Sequence, residues 1–281
     1  MNNGFCRISD GDAVRLKAVG KRTSRVLYSI FRMAFLIAVG YIVIYPMLYM
    51  IVSSLQSKYA FLNSSRIWIP SDLSIKENYK TAVLCLDYTT SLLSTLKNEI
   101  IAGLIQVVSC AVAAYGFARF EFRGKRIKLA LLFLTIIVPD MMLLIPRMIN
   151  YSHLDFLGIL ALVNKITGVD LRPNILGSAV TFWLPALFGV GLKSGILIYI
   201  YIQFFKGLPR ELEEAAWVDG AGPIRTFCNI AVPSSSVVII TVFIFSVIWH
   251  WNDSTLSGMY LLGDYPLALQ VTRLEAALSD K

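Results

Sequence analysis

Residues 214–233, EAAWVDGAGPIRTFCNIAVP, form a polar stretch between two long apolar segments. Acidic residues at 211, 213 and 214 lie at the start of a run of helix-forming residues, where carboxylates stabilise the positive end of the helix dipole. Gly220 and the Gly222-Pro223 pair then break the helix, because glycine permits left-handed backbone angles and proline blocks helix continuation. The sequence predicts two short helices, 211–217 and 224–230, in a water-exposed loop of a membrane protein.

The composition of the chain is that of a membrane protein. Of its 281 residues 56% are hydrophobic and 16% charged, with a mean hydropathy of +0.65, whereas soluble domains carry roughly 25% charged residues. A membrane-spanning helix needs about 20 predominantly apolar residues. The sequence predicts an all-α polytopic bundle, a transmembrane domain over 33–281, with spans at about 33–55, 98–118, 129–149, 180–205 and 231–252.

Basic residues set the expected orientation. The N-terminal segment 1–32 carries seven of them, the short loop 119–128 carries five, and Lys206, Arg210 and Arg225 follow. These are 15 of the 26 basic residues, and basic residues concentrate on the cytoplasmic side of membrane proteins. We therefore expect 1–32, 119–128 and the loop 206–230 in the cytoplasm, and 58–99 with Cys85 outside. The net charge of +8 then needs no nucleic-acid partner.

The pattern E-A-A, three residues, G, nine residues, I-x-hydrophobic-P resembles the cytoplasmic coupling loop of permease subunits in ATP-binding cassette (ABC) importers. Its fixed positions correspond here to Glu214, Ala215, Ala216, Gly220, Ile230, Val232 and Pro233, with valine at 232 where the family often has leucine. The resemblance continues through the Asn78-Tyr79 pair, the stretch AYGFARF at 114–120, and 138–146. It covers most of residues 35–270 and is strongest to the carbohydrate-uptake branch, the maltose-type and multiple-sugar permeases.

The resemblance implies a type I ABC importer permease in a bacterial plasma membrane, with a cytoplasmic N-terminus. It implies a second homologous permease, two ATP-binding subunits and an extracytoplasmic solute-binding protein as partners, with ATP and Mg²⁺ bound by the ATPase subunits. The residues expected to couple to the ATPase are Glu214, Ala215, Ala216, Asp219, Gly220, Ala221, Ile230 and Pro233. Permeases of this kind have six spans with both termini inside. Residues 253–281 contain no run of 18 apolar residues, so we expect either a truncated sequence, which we favour, or a protein without the last helix.

Candidates for the substrate path follow from sugar chemistry, since sugars are bound by aromatic faces together with convergent polar groups. Residues of these types near the expected depth are Asp140, Lys193, Ser194, Trp249, Trp251 and Asn252. Lys193 lies 13 residues before Lys206, or about 20 Å along a helix, so it should face protein, a cavity or the outer headgroups. For the two tryptophans, anchoring at the membrane interface is an equally good interpretation.

The sequence offers less support for other classes of function. The phosphate-binding pattern G-x-x-x-x-G-K-[ST] is absent, and no nucleophile or zinc motif occurs, so we expect no enzyme and no cofactor bound by this chain. A gradient-driven secondary transporter would show internal repeats and intramembrane carboxylates, whereas Asp140 is the one acid that lies more than two residues from the end of a predicted span. The alternatives left open are that transporter and an importer permease for a solute other than a sugar. The sequence does not specify the substrate or its charge.

Overall fold

The computed structural model describes residues 10–63, 68, 72–155, 158–263 and 265–279, and its regular elements there are helices. The predicted segments 1–32 and 58–99 lie partly outside the described residues. The first four helices are α1 (Asp10–Leu55), α2 (Lys58–Asn63), α3 (Ile75–Cys85) and α4 (Tyr88–Arg119). Those that follow are α5 (Lys125–Ile137), α6 (Leu144–Ser152), α7 (Ile159–Thr167), α8 (Val180–Leu187), α9 (Ser194–Gly207), α10 (Glu211–Val218), α11 (Pro223–Thr226), α12 (Val232–Ser234), α13 (Ser236–Trp251), α14 (Thr255–Tyr260) and α15 (Leu267–Ser279). The all-α fold class predicted from the sequence is confirmed.

The chain divides into two compact units, Met1–Ala82 and Val83–Lys281. In the first unit α1 begins far before the predicted span 33–55, because the residues that precede this span are also good helix formers. The apolar part of α1 runs over Arg25–Leu55. The Asn78-Tyr79 pair binds the end of this helix. The Asn78 side-chain amide donates to the carbonyls of Ser54 (2.9 Å) and Gln56 (2.7 Å), and the Tyr79 hydroxyl lies 3.1 Å from the Ser54 hydroxyl. These bonds hold the start of α3 against the end of α1.

In the second unit α4 is the central helix, and it packs against α8, α9, α13 and α15. Its buried face carries small and polar residues, among them Ala102, Gly103, Cys110 and Ala114. Such residues let membrane helices approach closely, and a Cβ on Gly103 would lie only 3.2 Å from a methyl group of Val247 on α13. Helix α4 also begins at Tyr88, ten residues before the predicted span 98–118.

The segment predicted as the span 129–149 is not one straight helix but a bent pair of helices. Helix α5 ends at Ile137, a 3₁₀ turn covers Asp140–Leu143, and α6 follows at an angle of 99°. The cause is Pro139, which lacks an amide hydrogen and forces the preceding residue into extended angles. Val138 accordingly has φ −68° and ψ 121°. The bend places Asp140 at the start of the 3₁₀ turn.

The predicted span 180–205 is likewise broken, into α8 and α9, neither of which reaches 18 residues. Gly189 (φ +68°) and Lys193 (φ +55°) adopt left-handed angles that end one helix and precede the next. Helix α9 then packs tightly on α5, since a Cβ on Gly195 would come within 2.7 Å of the Thr135 hydroxyl. The absence of a side chain at Gly195 thus allows the two helices to pack closely.

The predicted span 231–252 also differs from the structure. A π-helical turn covers Phe227–Ala231, α12 follows, and α13 begins only at Ser236 after a bend of 80°. Within the described ranges, two helices are long and apolar enough to cross a membrane, or up to four when each bent pair counts as one span. The interruptions of the segments 129–149 and 180–205 bring together two charged side chains, Asp140 and Lys193.

Candidate functional site

Helix α10, the first of the loop, ends in a hydrogen-bonded glycine motif. The amide of Gly220 donates to the carbonyl of Trp217 (3.0 Å), and that of Ala221 donates to the carbonyl of Ala216 (2.9 Å). This pair of bonds is a Schellman motif, which requires a left-handed residue at the position of Gly220. Gly220 has φ +81°, so a side chain there would be strained even though the space around it is open. The glycine predicted from the sequence pattern therefore shapes the turn between the two short helices.

The outer surface of the loop combines a carboxylate with uncovered apolar side chains. Glu214 on α10 is exposed. Trp217 is 48% exposed, Val218 88% and Ile224 81%. Of the remaining predicted coupling residues, Ala215, Asp219, Gly220 and Pro233 are exposed, while Ala216, Ala221 and Ile230 are half-buried. Apolar side chains left in water next to a charged group favour a protein partner on this surface.

A buried ion pair holds this loop to the long helix. The guanidinium of Arg119, at the end of α4, lies 2.9 Å from the carboxylate of Glu213 on α10, and both side chains are 4% exposed. Arg119 also donates to the carbonyl of Leu208 at 3.0 Å. Sequence reasoning missed this pair, because the two residues are 94 positions apart. The sequence did contain one indication that the two acids differ. Successive residues of a helix point about 100° apart, so Glu213 and Glu214 cannot both face the same surroundings.

Aromatic rings fill the space between the loop and the helices beneath it. The ring of Tyr115 on α4 lies 4.9 Å from that of Phe227 in the loop and 5.6 Å from that of Phe205 on α9, measured between centroids. Thr226 and Ala231 are fully buried. The loop is thus fixed to α4 and α9 by packing as well as by charge. This contact accounts for Tyr115 in the AYGFARF stretch.

The second group of candidates meets at the two broken spans. The ammonium of Lys193, just before α9, lies 2.8 Å from the carboxylate of Asp140, just after Pro139. Their side chains are 46% and 24% exposed, respectively. Each residue lies where a helix is interrupted. Asp140 is the first residue of the 3₁₀ turn, and Lys193 is the left-handed residue before α9. The ion pair therefore joins the break of one span to the break of the other.

Two cavities open on either side of this ion pair. One, of about 210 Å³, is lined by Asp140, Lys193 and Ser194 together with Arg147, which the sequence prediction did not include. The other, of about 220 Å³, is lined by Asp140, Lys193, Trp249 and Asn252 together with Asp253, also not predicted. Trp251, although the structure describes it, lines neither cavity. The structure thus brings five of the six predicted path residues together.

The surroundings of the two cavities add further polar and aromatic groups. Trp249 stacks on Phe245 with centroids 5.5 Å apart, which fixes the plane of its ring. The hydroxyl of Ser194 is buried and accepts a hydrogen bond from the amide of Gln106 at 2.7 Å. Asp253 accepts hydrogen bonds from the amide and hydroxyl of Ser257. In the parts of the chain that the structure describes, no group of three or more histidine, cysteine or carboxylate side chains could hold a metal ion.

Comparisons with known proteins identify relatives of this chain. The model of a family described as binding-protein-dependent transport system inner membrane component matches residues 107–277. The osmoprotective compounds uptake permease protein GgtD of Synechocystis sp. is 27% identical, over 85% of this chain and 76% of its own length. The trehalose transport system permease protein SugB of Mycobacterium tuberculosis is 30% identical, over 75% of this chain, and the match spans 65% of that relative's length.

A solved structure has the same fold. It is the structure of a bacterial ABC transporter involved in the import of the acidic polysaccharide alginate, and the matched chain has a TM-score of 0.66 and 17% sequence identity. The match covers 90% of this chain and 80% of that one. At this identity the likeness establishes the fold and carries nothing about the substrate.

Proposed function

The chain belongs to the family of binding-protein-dependent transport system inner membrane components, and from that premise we propose that it is a permease subunit of an ATP-driven sugar importer. With a second homologous permease it forms the translocation path for a sugar or oligosaccharide. Two ATP-binding subunits and an extracytoplasmic solute-binding protein complete the complex. The single observation that carries this proposal is the loop over 206–230, which combines the family's sequence pattern with an exposed surface fixed rigidly to the spans.

The loop has the properties that a docking element for an ATPase needs. Glu214 accepts charge-assisted hydrogen bonds from a basic residue of the partner, and such bonds are stronger than those between neutral groups. The exposed side chains of Trp217, Val218 and Ile224 supply apolar contact area. Because Glu213 ties α10 to Arg119 of α4, a displacement of the loop by the ATPase is passed to α4. This is a physical route from ATP binding to movement of the spans.

The cavities around the Asp140–Lys193 pair suit a sugar. An indole face at Trp249 stacks on the C–H surface of a sugar ring, and Asp140, Lys193 and Asn252 offer hydrogen-bond donors and acceptors for hydroxyl groups. A relative named for trehalose transport supports this substrate class, whereas one named for the uptake of osmoprotective compounds supports a wider range of solutes. The chain itself binds no nucleotide in this proposal, and ATP with Mg²⁺ is bound and hydrolysed by the partner subunits. Its location is the bacterial plasma membrane, with the N-terminus in the cytoplasm.

The proposal is tested by reconstituting the chain with its partner subunits in sealed proteoliposomes. Uptake of radiolabelled trehalose and maltose is measured with and without ATP inside, and with the solute-binding protein outside. We expect uptake that requires ATP and persists when ionophores collapse the ion gradients. Uptake abolished by ionophores but independent of ATP would identify a secondary transporter instead. Uptake of a compatible solute such as glycine betaine in place of either sugar would move the substrate outside the carbohydrates.

A further inference from the structure

Gln106 is a fully buried amide at the centre of α4 that binds two other helical segments. Its Nε2 donates to the carbonyl of Leu192 and to the hydroxyl of Ser194, both at 2.7 Å. Its Oε1 accepts a hydrogen bond from the hydroxyl of Ser246 on α13. Both amide hydrogens and the carbonyl oxygen are therefore used. A buried amide with every hydrogen bond formed holds its neighbours in one geometry, because any displacement leaves a polar group unpaired.

The two groups that receive the Gln106 hydrogens lie on either side of Lys193. Lys193 has φ +55°, a left-handed angle that costs a residue with a side chain roughly 1 kcal/mol or more unless its surroundings impose it. The bond to the Leu192 carbonyl fixes the backbone before that residue, and the bond to the Ser194 hydroxyl holds the side chain that follows it. Gly191 leaves the space for this contact, since a Cβ there would lie 3.3 Å from the Gln106 nitrogen and 3.1 Å from the Ala186 Cα.

We propose that Gln106 is a positioning residue that holds Lys193 against Asp140 in the translocation path. Gln106 acts through the backbone of the break between α8 and α9, and Ser246 on α13 fixes the rotamer of its amide. The Lys193 ammonium is thereby kept 2.8 Å from the Asp140 carboxylate, where the pair separates the two cavities. The assignment of a transport role to this geometry rests on the proposed function, whereas the geometric part stands without it.

The geometric part is tested by cross-linking. In the complete complex, with the four native cysteines replaced, the Asp140→Cys, Lys193→Cys variant is treated with a short bifunctional maleimide, with and without Gln106→Leu. Leucine keeps the approximate volume of glutamine and removes all three hydrogen bonds. We expect cross-linking to slow about tenfold, corresponding to a coupling of about 1.4 kcal/mol. Ser246→Ala should produce a smaller loss in the same direction, which provides a second variant if Gln106→Leu does not assemble.

Ser109→Ala is the matched control. Ser109 lies on α4 one turn after Gln106 and donates to the carbonyl of Ala186 on α8 rather than to a residue that flanks Lys193. The Ser109→Ala substitution removes one interhelical hydrogen bond of the same kind and should leave the cross-linking rate unchanged. Cross-linking equally fast in Gln106→Leu and in the parent, or slowed as much by Ser109→Ala, would overturn the positioning role.

The transport part is tested by a double-mutant cycle on ATP-driven uptake. Gln106→Leu should lower uptake about tenfold in the parent and by less than twofold in the Lys193→Met background, because Gln106 then has no ammonium to position. Equal losses in both backgrounds would mean that Gln106 acts only through general packing. If the parent complex takes up no sugar, the proposed function fails, and the cross-linking result still decides the role of Gln106.

Discussion

Arg119 and Glu213 form a buried ion pair at 2.9 Å that joins the end of α4 to the first turn of α10. The neighbouring acid, Glu214, points outward and is exposed. Two adjacent carboxylates on one helix thus lie in different surroundings: the first attaches the loop to α4, and the second is exposed. In the proposed importer, a displacement at the loop surface would pass through the first to α4.

Breaking the ion pair should release the loop. Removing one partner of a buried pair leaves an uncompensated charge and costs about 3–5 kcal/mol. We therefore expect Arg119→Met or Glu213→Leu to lower the thermal stability of the purified complex and to reduce retention of the ATPase subunits. The double variant Arg119→Met, Glu213→Leu should be more stable than either single variant, since it leaves no unpaired charge. Additive losses in the double variant would contradict this account.

Lys125 and Glu121 provide the matched surface pair for that experiment. Their side chains meet at 2.7 Å in the loop 119–128, where the hydrogen bond from Lys125 lowers the pKa of the largely exposed Glu121 carboxyl. Because solvent screens such pairs, Glu121→Gln should leave the melting temperature unchanged. A drop equal to that of Glu213→Leu would show that any lost charge in this region destabilises the protein.

Substitutions at Gly220 should separate backbone strain from side-chain bulk. Valine strongly resists the left-handed angle of +81°, whereas asparagine adopts it readily. Since the space around Gly220 is open, we expect Gly220→Asn to keep near-normal uptake and Gly220→Val to lose ATPase docking or transport. Subunit retention and substrate-stimulated ATP hydrolysis are the measurements. Two equally active variants would remove the Schellman turn from the coupling mechanism.

Reversing the charge of Glu214 should weaken attachment of the ATPase without unfolding the permease. The expectation for Glu214→Lys is a loss of copurifying ATPase and of stimulated hydrolysis, with normal membrane insertion. Glu211→Lys is the control, because Glu211 is an exposed acid in the same first turn and shares its effect on the helix dipole. Equal losses in both variants would assign the effect to the dipole, and no loss in either would remove Glu214 from the docking surface.

The charges of Asp140 and Lys193 should matter as a pair. Asp140→Asn or Lys193→Met leaves one ionised group without its partner beside the cavities, so we expect each to lower uptake severalfold. The double variant should recover part of the activity, because it leaves no unpaired charge. Lys165→Met, at an exposed lysine on α7, is the control and should transport normally. Independent effects of the two single variants would mean that the ion pair has no function in transport.

Native cysteines can test the predicted topology. The structure has Cys85 and Cys228 exposed, and the distribution of basic residues places the first outside and the second in the cytoplasm. In sealed cells, a membrane-impermeant maleimide should label a variant that retains only Cys85 and should not label one that retains only Cys228. After the membrane is permeabilised, both should react. Labelling of Cys228 in sealed cells would reverse the orientation.

Local signals in the sequence were enough to predict the helices of the loop 206–230. Helix-forming acids followed by Gly220 and Gly222-Pro223 predict two short helices, and the structure has them, although the second continues through a π-helical turn into α12. Apolar runs likewise predict an all-helical membrane fold. These features depend on residues close together in the chain, whose backbone preferences act before any tertiary contact forms.

The sequence by itself determined the helical membrane fold, the family and the position of the loop. Only the tertiary structure decided that Glu213 is buried on Arg119, that Asp140 pairs with Lys193, and that Gln106 binds both neighbours of Lys193. Each of these contacts joins residues more than 50 positions apart. Hydrophobic runs indicate which segments lie in the bilayer, but they do not indicate which helices pack against each other. That choice is made when small residues such as Gly103 and Gly195 let particular helices approach and bring their polar groups within hydrogen-bonding distance.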